Sequence, residues 1–197
     1  MKRRMRVLTS AVLVTVFSAS LAAAEYVRNG DFESGNVAPW RLSKPNAEVA
    51  LAIVPDSGSP CGGSGALGIT LPGVKRVDVA QRVKKIGPGT YKLTAYMDTT
   101  RCTKPGGYIM IFLEGNVNGK YSNFGCIATP GTGKDGWRKT EWRKFEKVIT
   151  VPEGGAITSV TIALINNLTG TVMLDGISIQ ECAPGTQPDN AADEKKK

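Results

Sequence analysis

Tyr91-Lys92-Leu93-Thr94-Ala95-Tyr96-Met97-Asp98 follows the turn formers Gly87-Pro88-Gly89 and alternates in character along its length. Tyr91, Leu93, Ala95 and Met97 make an apolar row, whereas Lys92, Thr94, Tyr96 and Asp98 make a mostly polar one. Successive side chains of a strand point to opposite faces, so this period of two predicts a strand packed on a core by one face. A helix would repeat its apolar residues every three to four positions, and no stretch sustains that period.

The segments on either side follow the same rule. Residues 49–54, 66–71, 77–83, 108–114, 145–151, 160–165 and 172–181 are short, rich in β-branched residues and bounded by Gly, Pro and Asn. Strands of this length and spacing predict an all-β, two-sheet antiparallel sandwich or a barrel. In 108–114, Ile109, Ile111 and Leu113 form the better core row, which sends Tyr108, Met110, Phe112 and Glu114 to the other face. If 91–98 and 108–114 are neighbouring strands, Tyr96, Tyr108 and Phe112 share one surface, as do Asp98 and Glu114. The Gly- and Asn-rich stretch 115–136 reads as a long loop.

The ends of the chain concern compartment. Lys2, Arg3, Arg4 and Arg6 precede a short apolar run that ends in Ala22-Ala23-Ala24, the pattern of a cleaved signal peptide over 1–24. Secretion is therefore expected, with one domain over 25–182 and a polar, disordered tail over 183–197. The leader carries four of the 25 basic residues and none of the 17 acidic ones, which leaves the mature part at only +4. That modest charge, with no basic helix, argues against a nucleic-acid partner, and no later run suits a membrane anchor. Cys61, Cys102, Cys126 and Cys182 form an even set without close pairs, which favours two disulfides over a metal site. Three pairings are open; Cys102–Cys126, closing a short loop, with Cys61–Cys182, is preferred. Asn167 opens the single Asn-Leu-Thr sequon, where a surface turn is expected.

A resemblance adds to this reading. The opening Val27-Arg28-Asn29-Gly30-Asp31-Phe32-Glu33-Ser34-Gly35, with Pro39-Trp40 behind it, resembles the start of CenC-type carbohydrate-binding modules. Ala80-Gln81-Arg82-Val83 before Gly87-Pro88-Gly89-Thr90-Tyr91, Trp142-Arg143-Lys144-Phe145, and Met173-Leu174-Asp175-Gly176-Ile177-Ser178-Ile179 follow in the family's order. The resemblance implies a galactose-binding-like jelly roll with one concave sheet. It also implies a structural calcium held by Glu33 and Asp175, with backbone carbonyls completing a hard-oxygen shell. Trp40 and Trp142 match framework tryptophans and are expected in the core.

Glycan recognition in such a fold uses aromatic faces and a few placed polar groups. The candidates are Tyr96, Tyr108, Phe112, Tyr121 and Phe124, with Gln81 and Arg82 by family position and Trp137 as a loop-borne platform. The expected function is a secreted, lectin-like, non-catalytic protein whose partner is a polysaccharide or cell-wall glycan. The alternatives are a protein-binding sandwich without sugar specificity, and an enzyme. The chain has no histidine, which excludes Ser-His-Asp and Cys-His chemistry. A carboxylate pair at Asp98 and Glu114 would be the glycosidase alternative. Calcium-dependent cyclases of the hapalindole type, which are similar in fold, supply another enzymatic analogy.

Overall fold

A computed structural model describes residues 26–104, 107–129, 141–183 and 185–186. The leader, Trp137 and most of the polar tail lie outside the described residues. Strands β1 (Arg41–Leu42), β4 (Arg76–Ile86), β7 (Tyr108–Val117), β8 (Lys120–Ala128) and β10 (Gly155–Ile165) form a five-stranded sheet in the order β1-β4-β10-β7-β8. Strands β2 (Ala50–Pro55), β3 (Gly65–Pro72), β5 (Gly89–Asp98), β9 (Arg143–Val151) and β11 (Thr169–Glu181) form the second sheet in the order β2-β3-β11-β5-β9, with β6 (Cys102–Lys104) added beside β11. Every pairing is antiparallel, and the described residues contain no helix.

The alternating rows fall where the pleat demands. Leu93, Ala95 and Met97 of β5 meet Ile109, Ile111 and Leu113 of β7 across the sandwich, all fully buried. Each such side chain contributes about 1.5–3 kcal/mol by leaving water. The N-terminal segment joins this core through Val27, Phe32 and Trp40, whose Nε1 donates to the Asn29 carbonyl at 3.1 Å. Trp142 does not follow Trp40 inside. It is half-buried, and its Nε1 donates to the Ser57 carbonyl at 3.0 Å, so it secures the β2–β3 loop instead.

Three expectations are corrected by the topology. First, β5 and β7 belong to different sheets, so Tyr96 does not share a surface with Tyr108 and Phe112, and Asp98 is not paired with Glu114. Asp98 caps a turn, accepting from the Thr100 amide at 2.8 Å and hydroxyl at 2.6 Å. Second, the long loop over 115–136 contains a strand. Asn118 and Gly119 have φ of 50° and 80°, the left-handed pair of a two-residue hairpin, and they fold β8 back on β7 from Val117↔Lys120. Third, no disulfide joins the four cysteines. Cys126 sits opposite Phe112 in the five-stranded sheet, whereas Cys102 is buried in β6 of the other sheet with its thiol toward the Thr171 carbonyl. Cys61 lies beside Gly176, and the Cys182 amide donates to Thr90. Because the preferred partners stand on different sheets or separate loops, sequence distance was no guide to their spacing.

Candidate functional site

The central strand of the five-stranded sheet shapes its outward face. Ser159 and Thr161 of β10 are small and floor a cleft between β4 and β7, whereas Ala163 on the same row is fully buried. Register places Ser159 between Arg82 and Glu114, Thr161 between Ala80 and Phe112, and Ala163 between Asp78 and Met110. Small residues at Ala80, Ser159 and Thr161 leave an open hollow, and an adjoining cleft that shares Ser43 extends it along β4 into a trough. Arg41, Leu42 and Ser43 wall one part of it, a cleft of about 470 Å³ that also exposes Arg82, Glu114 and Thr161. A second cleft of about 380 Å³ continues past Ser43 to Lys44, Asn46, Arg76 and Asp78. Arg82 and Arg76 are six positions apart on β4, so the trough runs roughly 20 Å.

Glu114 is fixed within this face. Tyr121 donates its hydroxyl to Glu114 Oε1 at 2.6 Å, and Thr161 Oγ1 donates to Oε2. The bond to Glu114, reinforced by partial burial, raises the Tyr121 phenol above its ordinary value. Arg76 bonds Asp78 at 2.9 Å, which raises the guanidinium further. Both carboxylates of the trough are therefore engaged by protein groups.

The expected ligand residues separate into several environments. Arg82 lines the cleft, while Tyr108 and Tyr121 stand on the same sheet face without lining either cleft, Tyr121 being 73% exposed. Phe112 also stands on that face, outside the core cluster, although it is only 6% exposed. Gln81 also borders this cleft, but its side chain is buried and turned to the N-terminal segment. Its amide holds the N-terminal segment, accepting from Arg28 N at 3.2 Å and donating to Arg28 O at 3.1 Å. Phe124 packs partly buried against the core beside the β7–β8 bulge. Tyr96 faces out from the opposite sheet, and Trp137 lies outside the described residues. Arg41, Ser43, Lys44 and Thr161 are additions that sequence reading missed. The signal for Thr161 was the small-residue alternation of β10; Arg41 and Lys44 had none, because only the β1–β4 pairing places them. Asn167 is exposed in the β10–β11 turn.

The second sheet carries a different site. Asp175 lies at a bulge of β11, fully buried beneath Cys61 and the β2–β3 loop. Oδ1 accepts from the Gly176 amide at 2.7 Å, whereas Oδ2 is buried with no hydrogen-bond partner among the described residues. Burial pushes the carboxyl up, opposed by Ser59, Gly176 and Cys61, and the nearby Glu33 carboxylate adds to the rise. Glu33 accepts from the Ser64 and Gly65 amides at 3.0 and 2.9 Å, bonds that lower its pKa. Gly30 is needed beneath this site, because a Cβ there would run into the Ile177 carbonyl, and its own carbonyl accepts from Ile177 N at 2.9 Å. A buried carboxylate with one oxygen lacking a donor, here Asp175, is the hard-oxygen chemistry that a cation such as calcium takes. Among the described residues no three His, Cys, Asp or Glu side chains gather as a metal-binding set. Backbone and hydroxyl oxygens would have to complete the shell.

Comparison with known structures agrees on the fold. The carbohydrate-binding module TmCBM61, solved in complex with β-1,4-galactotriose, superposes with a TM-score of 0.58 at 18% identity, covering 81% of this chain and 100% of that one. The CBM22-2 xylan-binding domain from Paenibacillus barcinonensis Xyn10C gives 0.52 at 19% identity, covering 78% and 98%. The enzymatically active domain of bacteriophage CBA120 tailspike protein 4 gives 0.58 at 13% identity, but there the likeness covers 80% of this chain and only 21% of that one. Neither family models nor curated protein sequences match the chain. The fold is thus the jelly-roll sandwich of carbohydrate-binding modules, and the likeness does not single out the CenC type.

Proposed function

We propose that this chain is an exported, non-catalytic glycan-binding module that holds a polysaccharide along the trough of the five-stranded sheet. The observation that carries this reading is the cleft over Ser159 and Thr161 of β10, with the Glu114 carboxylate held at it by Tyr121 and Thr161 and with Tyr108 farther along the same face. Aromatic faces stack on sugar C–H surfaces, while pre-oriented polar groups bond hydroxyls without an ordering cost at the moment of binding. The neighbours' ligands, a β-1,4-galactotriose and xylan, are consistent with an extended saccharide. A catalytic reading has less support, because Asp98 and Glu114 stand on opposite sheets and each is engaged locally.

The test is retention on soluble polysaccharides by affinity electrophoresis. Tyr108→Ala with Tyr121→Ala should weaken retention about tenfold, the scale of one or two lost stacking contacts. Tyr96→Ala, on the other sheet, should leave it unchanged. Retention that survives the double change, or is lost with Tyr96→Ala, refutes the assignment of this face. Release of reducing ends would replace it by the enzymatic reading.

For the Asp175 site we infer a structural calcium. It would neutralise the buried Asp175 carboxylate and satisfy Oδ2, with Glu33 close enough to contribute to the local negative charge, and would tie the opening segment and the β2–β3 loop to β11.

A further inference from the structure

The proposed glycan trough has an electrostatic asymmetry that a neutral sugar does not require. Its two clefts hold the cations Arg41, Lys44, Arg76 and Arg82 and the carboxylates Asp78 and Glu114. Both carboxylates are already occupied, Asp78 by the Arg76 ion pair and Glu114 by Tyr121 and Thr161. Arg41, Lys44 and Arg82 are exposed and make no ion pair among the described residues. Arg41 and Arg82 line the same 470 Å³ cleft, Arg41 registering with Ala80 and Arg82 with Ser159 on either side of it. On the opposite sheet Lys144 is bonded to Glu146 at 2.6 Å, while Lys92 and Lys147 also make no ion pair among the described residues. The trough is set apart by holding two unpaired guanidiniums at one cleft.

Exposed guanidiniums are completed by water when no anion is present, and two of them at the rim of one pre-formed cleft are placed to exchange that water for a ligand anion. Arginine presents its donors in a planar fork that suits a two-oxygen anion, and it sheds water more readily than lysine. We infer that the polysaccharide held in this trough carries oxyanion groups, either uronate carboxylates or sulfate esters, bound between Arg41 and Arg82. This inference rests on the trough being the glycan site. Glu114 would remain a hydroxyl acceptor for a neighbouring sugar, since its repulsion of a bound anion is reduced by its two donors.

The experiment compares four probes on the purified chain: polygalacturonate, the same polymer fully methyl-esterified, a sulfated galactan and neutral β-1,4-galactan. Retention of polygalacturonate or of the sulfated galactan should exceed that of the uncharged polymers at least tenfold, and whichever acidic polymer is held identifies the anion. Arg41→Gln with Arg82→Gln should remove about tenfold or more per guanidinium, the effect of losing a charge-assisted hydrogen bond. The control Lys92→Gln with Lys147→Gln removes equal charge from the other sheet and should change nothing. Both double variants should keep the parent melting temperature, because all four side chains have no structural ion pair among the described residues. Equal retention of the ester and the acid overturns the inference, as does equal loss in both charge variants. Neutral galactan binding that needs Tyr108 but not the arginines would leave the glycan trough standing and overturn only the anion. No retention of any polymer would overturn both.

Discussion

The outward faces of the two sheets are built by the same alternation, yet they differ in kind. On the five-stranded sheet, small residues on the central strand β10 leave a trough between β4 and β7, and the β1 segment raises a wall beside it. On the six-stranded sheet the central strand β11 bulges at Asp175 to Ser178, and the opening segment and β2–β3 loop close over it. One face is open, with two unpaired arginines at a cleft; the other buries a carboxylate. The pleat decides only which side chains point outward. What they become depends on the elements that cover or border them.

This contrast can be broken most severely within β7. Ile111→Ala removes a fully buried side chain and should cost about 2–5 kcal/mol. At roughly 2–4 °C per kcal/mol, that is a fall of several degrees or more in Tm. Met110→Ala, one residue earlier on the trough face, should cost less than about 1 kcal/mol. Equal losses in a thermal melt would mean that the outward face is a second core, not a trough.

Chelation probes the covered face. If calcium sits at Asp175, adding EDTA to protein held at metal levels about 100 times the dissociation constant should remove about 3 kcal/mol of stability, read as a fall in melting temperature. Asp175→Asn should lose most of that response, whereas Tyr108→Ala should keep it. An EDTA-independent melting curve would refute the metal.

Titration is a finer test of the open face. The Tyr121 phenol should ionise above its ordinary value near 10, because its proton is held by Glu114. A raised folded-state pKa means stabilisation that is present below about pH 10 and lost as pH rises through the raised value. Glu114→Gln should move the Tyr121 midpoint, followed by ring-carbon NMR, back toward 10. An unmoved midpoint would show that the pair is not formed. The smallest effect belongs to Lys144→Ala, which breaks an exposed ion pair and should change stability by no more than about 0.5 kcal/mol.

Much of the fold was legible before the tertiary structure. The rows of Leu93, Ala95 and Met97 and of Ile109, Ile111 and Leu113 were assigned to the core from alternation, and both are fully buried. The hairpin into β8 was missed although Asn118-Gly119 is a strong local signal, because the glycines and asparagines around it obscured the strand period. The site was far less legible. Tyr96 and Tyr108 stand in equivalent rows of similar strands, yet they face opposite sides of the molecule.

The sequence by itself determined which residues alternate, where turns interrupt them, and that the chain lacks the imidazole on which many hydrolytic sites depend. These are local properties, set by backbone geometry and side-chain chemistry within a few residues. Tertiary structure decided which strands are neighbours, and with that everything about the site. Pairing of β1 with β4 brings Arg41 to Arg82, and the β11 bulge brings Asp175 under Cys61, joining residues that are far apart in the chain. No local pattern records such a meeting, because strand order is chosen by the packing of the whole sandwich.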